Sequence, residues 1–502
     1  MFPSSITSTS VSPPMSLKLA TRSRCRCWRS GTAASSGSAA RRCCRAQRGS
    51  RSSVVRMPAK GGPTAAGQVG VARRVAEDTE APLADARRPA AAATVFNKTL
   101  LDSGVRVVTE TVPVVRSFAV GVWVHTGSRD EDPLQAGISH FIEHMVFKGT
   151  RRRRMQHIAR RMESVGGYLN AFTSKEYTCF EVRALDTHLV RAIDTAADLV
   201  MEPLFPEKEV EKEKGVILEE MKMYQDAPEE LIFERFERIV YAGHAFGHPV
   251  VGHPHTVSVF SRADLFAYLN RRYTPDRIVL AAAGNLSHEA VVRAAERAFS
   301  GIRSPDGPET RTSVGEYVPQ RIEETRPIQQ AHLLLGRRGL SIGHCQRAAV
   351  NVLSTILGGG MSSRLNQNIR EKYGFCYNVF SFFNMHSDTG DFGVYMGTDA
   401  AHVDRAEKLI FREFGKLAQS PVSARKLEEA KNQVRGAVLM GLESIYSRMS
   451  RIARQELVFG HYTPLDIVLQ EIDSVTVHEV QALAQELFQP ASFSRVAILP
   501  ES

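Results

Sequence analysis

The sequence lacks the features that mark several large classes of protein. It contains no apolar run close to the roughly 18 uninterrupted residues that a membrane-spanning helix needs. A soluble chain without a membrane span is therefore predicted. Of the 7 cysteines among 502 residues, four lie within positions 25–44 and three, Cys179, Cys345 and Cys376, are scattered through the rest. No disulfide framework is predicted, which favours a reducing compartment.

Acidic residues are absent from positions 1–76, so the positive net charge of the chain is concentrated there. The whole chain carries +10, but positions 1–76 hold 14 Lys and Arg without any Asp or Glu. In the rest of the chain 50 basic residues face 54 acidic ones, a balance near −4. A nucleic-acid-binding fold carries its basic excess on the fold itself, so no nucleic-acid partner is predicted.

Residues 1–94 are rich in Ser, Ala, Arg and Pro. Such a segment cannot bury enough apolar surface to offset the entropy of ordering, so a disordered basic tail is predicted. Its acid-free start resembles an organellar transit peptide, which would place the protein in the mitochondrial matrix or another organelle. The composition fits equally well a start codon assigned too early, with Met57 nearer the true beginning and a cytoplasmic protein.

From Phe96 onward, strand-like and helix-like patterns alternate, and their order is repeated once. The composition, 43% hydrophobic and 24% charged, is that of a globular protein. The repetition predicts an α+β fold of two homologous αβ domains, each with a mixed or antiparallel sheet packed with helices. The predicted division is an N-terminal domain at 95–302, a linker at 303–327 and a C-terminal domain at 328–502.

The stretch "HFIEHMVFKGT" occurs in the first half alone. On a helix, His140 and His144 share one face with Cβ atoms about 5–6 Å apart, so both rings can bind one ion. Neutral imidazoles suit zinc, and one Zn²⁺ per chain is predicted. Glu143 lies on the adjacent stripe, where it can act as a base toward water rather than as a ligand. Histidine pairs are often plain surface or core residues, but an apolar helix rarely buries such ionisable groups without a role.

A third ligand is expected from the acidic helix "EKEVEKEKGVILEEMKMYQD". Glu213 and Glu220 are seven positions apart and share a face, which allows one to bind the metal and the other to support it. The spacing alone does not separate Glu219 from Glu220 as the ligand.

His-x-x-Glu-His is the inverted zinc-peptidase motif. With "GGYLNAFTSKE", a glutamate 76 positions after His144 and the repeated halves, residues 96–500 resemble the pitrilysin superfamily. Within it they are most similar to the β-subunit of the mitochondrial processing peptidase and its bacterial homologues. The resemblance implies that His140 and Glu220 join His144 as zinc ligands, that Glu143 is the general base and that Glu213 supports the third ligand.

The resemblance also implies roles in binding the transition state and the substrate. In this superfamily an Arg and a Tyr seven residues apart, matched by Arg370 and Tyr377, stabilise the tetrahedral intermediate. A guanidinium and a phenol are suitable donors for that charge. Asn170 and Ala171 match the core of an edge strand to which an extended peptide adds as a further strand.

Three other positions match substrate-binding residues of the group. Phe147 matches an aromatic residue near a primed-side subsite. Glu230 and Glu234 match acidic positions that hold a substrate arginine in processing peptidases. An ordinary solvated start of an acidic helix explains this glutamate pair equally well.

The function implied is a zinc metalloendopeptidase, similar to the processing peptidases, that hydrolyses extended peptides or presequences with water activated by zinc and Glu143. Peptidases of this group enclose the substrate among four such domains, and this chain has two, which implies a dimer. A homodimer suffices, and a heterodimer with an inactive homologue also stays open. The alternative function is a non-catalytic structural subunit of the same fold, as in respiratory-complex core proteins.

Overall fold

The computed structural model describes residues 94–302, 307 and 310–501. The predicted tail, apart from Thr94, lies outside these described residues. Below, the first half means 94–302 and the second half means 310–501. The strands are β1 Val95–Leu100, β2 Arg106–Thr111, β3 Ser117–Val124, β4 Tyr168–Thr173, β5 Thr178–Leu185, β6 Ile278–Gly284, β7 Arg321–Arg326, β8 Ala331–Arg338, β9 Cys376–Met385, β10 Gly390–Thr398 and β11 Ser494–Pro500.

The α-helices connect and cover these strands. They are α1 Ile138–Val146, α2 Met155–Glu163, α3 Leu189–Met201, α4 Glu207–Gln225, α5 Pro228–Val240, α6 Pro254–Val257, α7 Arg262–Arg272, α8 His288–Ala298, α9 Arg347–Gly358, α10 Val403–Gln419, α11 Ala424–Gly441, α12 Ile445–Phe459, α13 Leu465–Ser474 and α14 Val477–Leu487. None of the described helices is both long enough and apolar enough to span a membrane.

Two sheets form the framework, and they repeat one strand order. The first sheet runs β1-β2-β6-β3-β5-β4 and the second runs β7-β11-β8-β10-β9. In each sheet one parallel pair, β2–β6 or β7–β11, is followed by antiparallel neighbours. The predicted α+β class, with mixed sheets and repeated halves, is confirmed.

One edge strand of the second sheet, β7, was not predicted from the sequence. β7, at Arg321–Arg326, lies in the stretch predicted as linker but pairs in parallel with β11. Its sequence "RIEETR" alternates between exposed and half-buried positions and has little apolar content. The backbone hydrogen bonds with β11 therefore define this strand, and its side chains carry almost no signal.

The sequence from position 423 to 458 has a helical pattern throughout, which predicts one long helix, but the structure divides it into α11 and α12. α11 ends at Gly441, and Ser444 caps α12 by accepting a hydrogen bond from the backbone N–H of Ser447. Serine in this position satisfies a free donor of the first helical turn. The break lets α12 leave the second half and pack on the first sheet.

Each half covers one face of its sheet with its own helices and receives a helix from the other half on the opposite face. Met449, Ile452 and Ala453 of α12 pack on the first sheet against residues that include Trp123 and Val279. In return, α5 of the first half packs its apolar side on the second sheet. Both sheets are thus covered on two sides.

Candidate metal centre

The stretch from His140 to His144 lies on α1, and a buried glutamate fixes the start of this helix. Glu131 accepts hydrogen bonds from the backbone N–H groups of Gly137 (2.7 Å) and Ser139 (2.9 Å). Gly137 precedes the helix with φ 95°, a left-handed conformation that favours glycine. The apolar face of α1, with Phe141 and Ile142, is buried in the first core. This packing directs the polar side chains of α1 toward α4.

Three possible metal ligands meet between α1 and α4. One ligand atom from each of His140, His144 and Glu220 lies within 4.8 Å of the others. Nε2 of His140 is 3.8 Å from Oε1 of Glu220, and Nε2 of His144 is 3.6 Å from Oε2 of the same carboxylate. These separations exceed hydrogen-bond length.

The donor set and its spacing fit a zinc ion. Ligand atoms about 2.1 Å from a tetrahedral ion lie about 3.4 Å from one another, close to the separations between Glu220 and the two imidazoles. Oε2 of Glu220 is buried without a hydrogen-bond partner, as expected for an atom that binds an ion. Two neutral imidazoles and one carboxylate are also the ligand set of catalytic zinc sites.

The neighbouring acids of α4 have different surroundings. Glu213 accepts a hydrogen bond from Nδ1 of His144 (2.9 Å), and its other oxygen pairs with Nζ of Lys148 (2.6 Å). Glu213 therefore orients the ring of His144 so that Nε2 points to Glu220. Glu219 is exposed and pairs with Lys222. Burial thus separates Glu220 from Glu219, which the spacing could not do.

Burial and the neighbouring carboxylates shift the pKa values of the two histidines in opposite directions. It holds the pKa of His140 well below its usual range, helped by the nearby charge of His144. Burial also acts to lower the pKa of His144, but the hydrogen bond to Glu213 and the surrounding carboxylates outweigh it and raise this pKa. His140 is thus a neutral imidazole, the form that binds metals.

Glu143 is buried beside the ligand group, on the neighbouring stripe of α1. Burial raises the pKa of Glu143, and the charge of Glu220 raises it further, while the charge of His144 and hydrogen bonds from the side chain and the backbone of Thr173 act to lower it. The side-chain bond comes from Oγ1 of Thr173, 2.7 Å from Oε2 of Glu143. A raised pKa makes a carboxylate a stronger base toward water.

The predicted substrate-binding residues of the first half lie on β4, at the end of α1 and on α5. Asn170 and Ala171 lie on β4, the edge strand of the first sheet. Phe147 caps the C-terminus of α1 and packs against the first core. Glu230 and Glu234 lie on α5, where Glu234 pairs with Arg235 (2.8 Å).

The predicted pair from the second half lies on two neighbouring elements of that half. Arg370 lies in a π-helical turn at Asn366–Glu371, and Tyr377 near the start of β9 is 88% exposed. Among the contacts of the described residues, Arg370 meets Glu371 at 3.9 Å, and none joins either side chain to the His–His–Glu group.

Three residues near the centre were not identified from the sequence. Lys148 follows His144 by one helical turn, a spacing that could have indicated its contact with Glu213. Thr173 is far from Glu143 in sequence, so only the packing of β4 on α1 reveals their bond. Tyr224 lies one turn after Glu220, among the charges of Glu220, Glu230 and Glu143, and burial raises its pKa to about 12.

Comparisons with known proteins agree with this architecture. The family profile described as "Insulinase (Peptidase family M16)" matches residues 106–253, and the one described as "Peptidase M16 inactive domain" matches residues 260–434. The structure is similar to that of a protease from Helicobacter pylori, with TM-score 0.76 and 20% identity, covering 81% of this chain and all of the other. At that identity the likeness concerns the fold.

Relatives with higher identity are described as uncharacterized zinc proteases. YmxG of Bacillus subtilis is 39% identical over 386 residues, which cover 77% of this chain and 94% of that protein. A Mycobacterium tuberculosis protein, Rv2782c, is 39% identical over 407 residues, covering 80% of this chain and 93% of its own length. The chain belongs to the M16 peptidase family.

Proposed function

We propose that this protein is a zinc-dependent endopeptidase that hydrolyses extended peptides or presequences. The observation that carries the proposal is the convergence of His140, His144 and Glu220 beside the buried carboxylate of Glu143. The M16 membership and the zinc-protease names of the relatives support it.

His140, His144 and Glu220 would hold one zinc ion. When bound, zinc supplies a Lewis acid that makes water more acidic and polarises a carbonyl. Glu143 accepts a proton from the attacking water and passes it to the leaving amine. Glu213 keeps the His144 ring in its ligand orientation throughout.

The substrate proposed is an extended chain. β4 ends the first sheet, so its outer backbone groups are available to pair with an added strand, with Asn170 and Ala171 at the pairing site. Backbone pairing accepts many sequences and requires an unfolded segment. Phe147 would contact a primed-side residue, and Glu230 with Glu234 would attract an arginine of the substrate.

We further propose that the active unit is a dimer in which a second copy supplies Arg370 and Tyr377. Tyr377 is exposed, and none of the contacts of the described residues joins it to the His–His–Glu group of its own chain. Arg and Tyr side chains donate hydrogen bonds to the negative charge that develops on the substrate carbonyl.

Mixing two inactive variants, Glu143→Gln and Tyr377→Phe, should restore activity, because the mixed dimer has one complete site. Failure to restore any activity in a verified mixed dimer contradicts this arrangement.

The decisive experiment joins metal analysis to a peptide assay. Wild type and Glu143→Gln are purified, their zinc content is measured, and both are incubated with an arginine-containing presequence peptide. We expect one zinc per chain in each and cleavage by the wild type alone. Zinc binding without cleavage by the wild type favours the non-catalytic subunit, and absence of zinc overturns the proposal.

A further inference from the structure

The bond between Thr173 and Glu143 connects the proposed base to a hairpin. Thr173 is the last residue of β4 and pairs with Thr178 at the start of β5. Its hydroxyl donates to Oε2 of Glu143 at 2.7 Å. Glutamate has several rotatable bonds, and Glu143 lies on the stripe beside the ligands, so this bond fixes which way the carboxylate faces.

The turn after Thr173 is held closely by the first half. The backbone N–H of Ser128 donates to the carbonyl of Ser174 (3.1 Å), and that of Arg129 donates to the carbonyl of Lys175 (2.9 Å). At Gly127 an added Cβ would lie 2.3 Å from the carbonyl oxygen of Ser174. The turn therefore rests directly on the chain that follows β3.

The same turn is also held by the second half, at the equivalent hairpin between β9 and β10. Glu176 accepts hydrogen bonds from the backbone N–H (3.0 Å) and hydroxyl (2.5 Å) of Ser387. Arg129 bridges the two turns, pairing with Glu176 at 2.6 Å and with both oxygens of Asp388 at 2.9 Å. Arg311, near the start of the second half, pairs with Glu176 at 3.2 Å.

These contacts form one connected path from the second half to the base. We propose that Thr173 is a positioning residue for Glu143, and that the β9–β10 turn of the second half keeps Thr173 in place through Glu176. The inference rests on the proposed function, since it assigns Glu143 the role of base. Buried charge-assisted bonds hold a geometry more firmly than exposed ones, and Glu176 and Arg129 are both buried.

The first test compares Thr173→Val with Thr173→Ser. Valine keeps the shape and removes the hydroxyl donor while the backbone bond of residue 173 to Glu143 stays, whereas serine retains the hydroxyl. We expect kcat to fall between about tenfold and hundredfold in Thr173→Val, the range for losing a hydrogen bond to a charged group. KM and zinc content should stay near their wild-type values, and serine should restore most of kcat. Thr111→Val is the matched control, because Thr111 ends β2 and its hydroxyl donates to the carbonyl of Leu286 rather than to a residue of the metal centre.

The second test asks whether the second half takes part. Ser387→Ala removes one hydroxyl from Glu176 and is milder than changing the buried carboxylate. We expect kcat to fall by a few-fold in Ser387→Ala, and by less in the Thr173→Val background, because the path is already broken there. Equal effects of Ser387→Ala in both backgrounds would overturn the coupling.

Glu143→Gln, measured in parallel, separates the two proposals. If Glu143→Gln still cleaves peptide, the proposed function itself fails. If Glu143→Gln is inactive while Thr173→Val retains wild-type kcat with normal zinc content, only the positioning role is wrong. A higher KM with unchanged kcat in Thr173→Val would likewise overturn the positioning role, since that pattern indicates weaker substrate binding.

Discussion

At the scale of single residues, the two buried glutamates of α4, Glu213 and Glu220, make different contacts with the histidines. Glu213 orients His144, whereas Glu220 faces the Nε2 atoms of both histidines. Glu213→Gln keeps the size of the side chain but weakens its hold on the imidazole and on Lys148. We expect zinc affinity to fall about 10–100-fold, measured by competition with a chelator.

The matched control for this change is Glu211→Gln. Glu211 is on the same helix but exposed, where it pairs with Lys214 three residues on, and exposed pairs contribute little. Its zinc affinity should equal that of the wild type. Equal affinities for both variants would mean that Glu213 does not support the ligand set.

Glu176 makes a second residue-scale prediction, on stability at low pH. Burial acts to raise its pKa, but the charges of His386, Arg311 and Arg129 and the bonds from Ser387 outweigh burial and hold this pKa at about 2, below the ordinary 4.5. The folded chain thus binds fewer protons at Glu176 than the unfolded chain does. Its contribution, about 3 kcal/mol, is present above pH 4.5 and is lost as the pH falls toward 2.

Urea unfolding across this pH range checks the prediction. The wild type should lose more unfolding free energy than Glu176→Gln between about pH 5 and pH 3. Parallel pH profiles for the two proteins would show that the ion pairs of Glu176 do not contribute.

At the scale of elements, α5 stabilises the second sheet although it belongs to the first half. Phe236 of α5 is fully buried against the second sheet, and the position opposite its ring is Gly336 on β8. A Cβ at Gly336 would lie 2.5 Å from the ring. The glycine therefore makes room for the phenyl group.

Two substitutions test this fit. Phe236→Ala should lower the free energy of unfolding by about 3–5 kcal/mol, and Gly336→Ala by about 1–3 kcal/mol. The double variant should lose less than the sum, because removing the ring removes the closest contact of the added Cβ and leaves the one with the carbonyl oxygen of Phe392 at 2.8 Å. Denaturant titrations measure all three, and strict additivity would mean that the two positions do not meet.

At the scale of the whole molecule, the exchange of α5 and α12 makes the halves depend on each other. Without α12, the first sheet exposes an apolar face that includes Trp123, whose indole N–H donates to the sulfur of Met449 (3.1 Å). Without α5, the second sheet exposes Leu334, Phe382 and their neighbours. The predicted boundary at 302 would therefore not separate two independent folding units.

We expect the fragments 94–302 and 310–501 to bind a hydrophobic dye when each is produced alone, and to associate with each other when they are produced together. Dye fluorescence and co-purification check this. Fragments that unfold alone as cooperatively as the intact chain would contradict the mutual dependence.

The sequence by itself determined the local features. The spacing of His140 and His144 follows from helical periodicity, which depends on neighbouring residues and not on the fold. The strand and helix order repeats in the sequence and in the two sheets, because alternation and helical periodicity are encoded over a few residues. The strand β7 could not be predicted in this way, because it forms through backbone hydrogen bonds with β11, a strand near the C-terminus.

Only the tertiary structure decided which distant residues meet. Glu220 was separated from Glu219 by burial, since adjacent positions on a helix differ in direction and only the packing of α4 on α1 determines which faces the histidines. Thr173 reaches Glu143 because β4 lies beside α1, and Glu176 meets Ser387 because two equivalent turns converge between the halves. Such contacts join residues far apart in the chain, so no local periodicity encodes them; they arise when apolar faces are buried and the polar side chains between them are brought together.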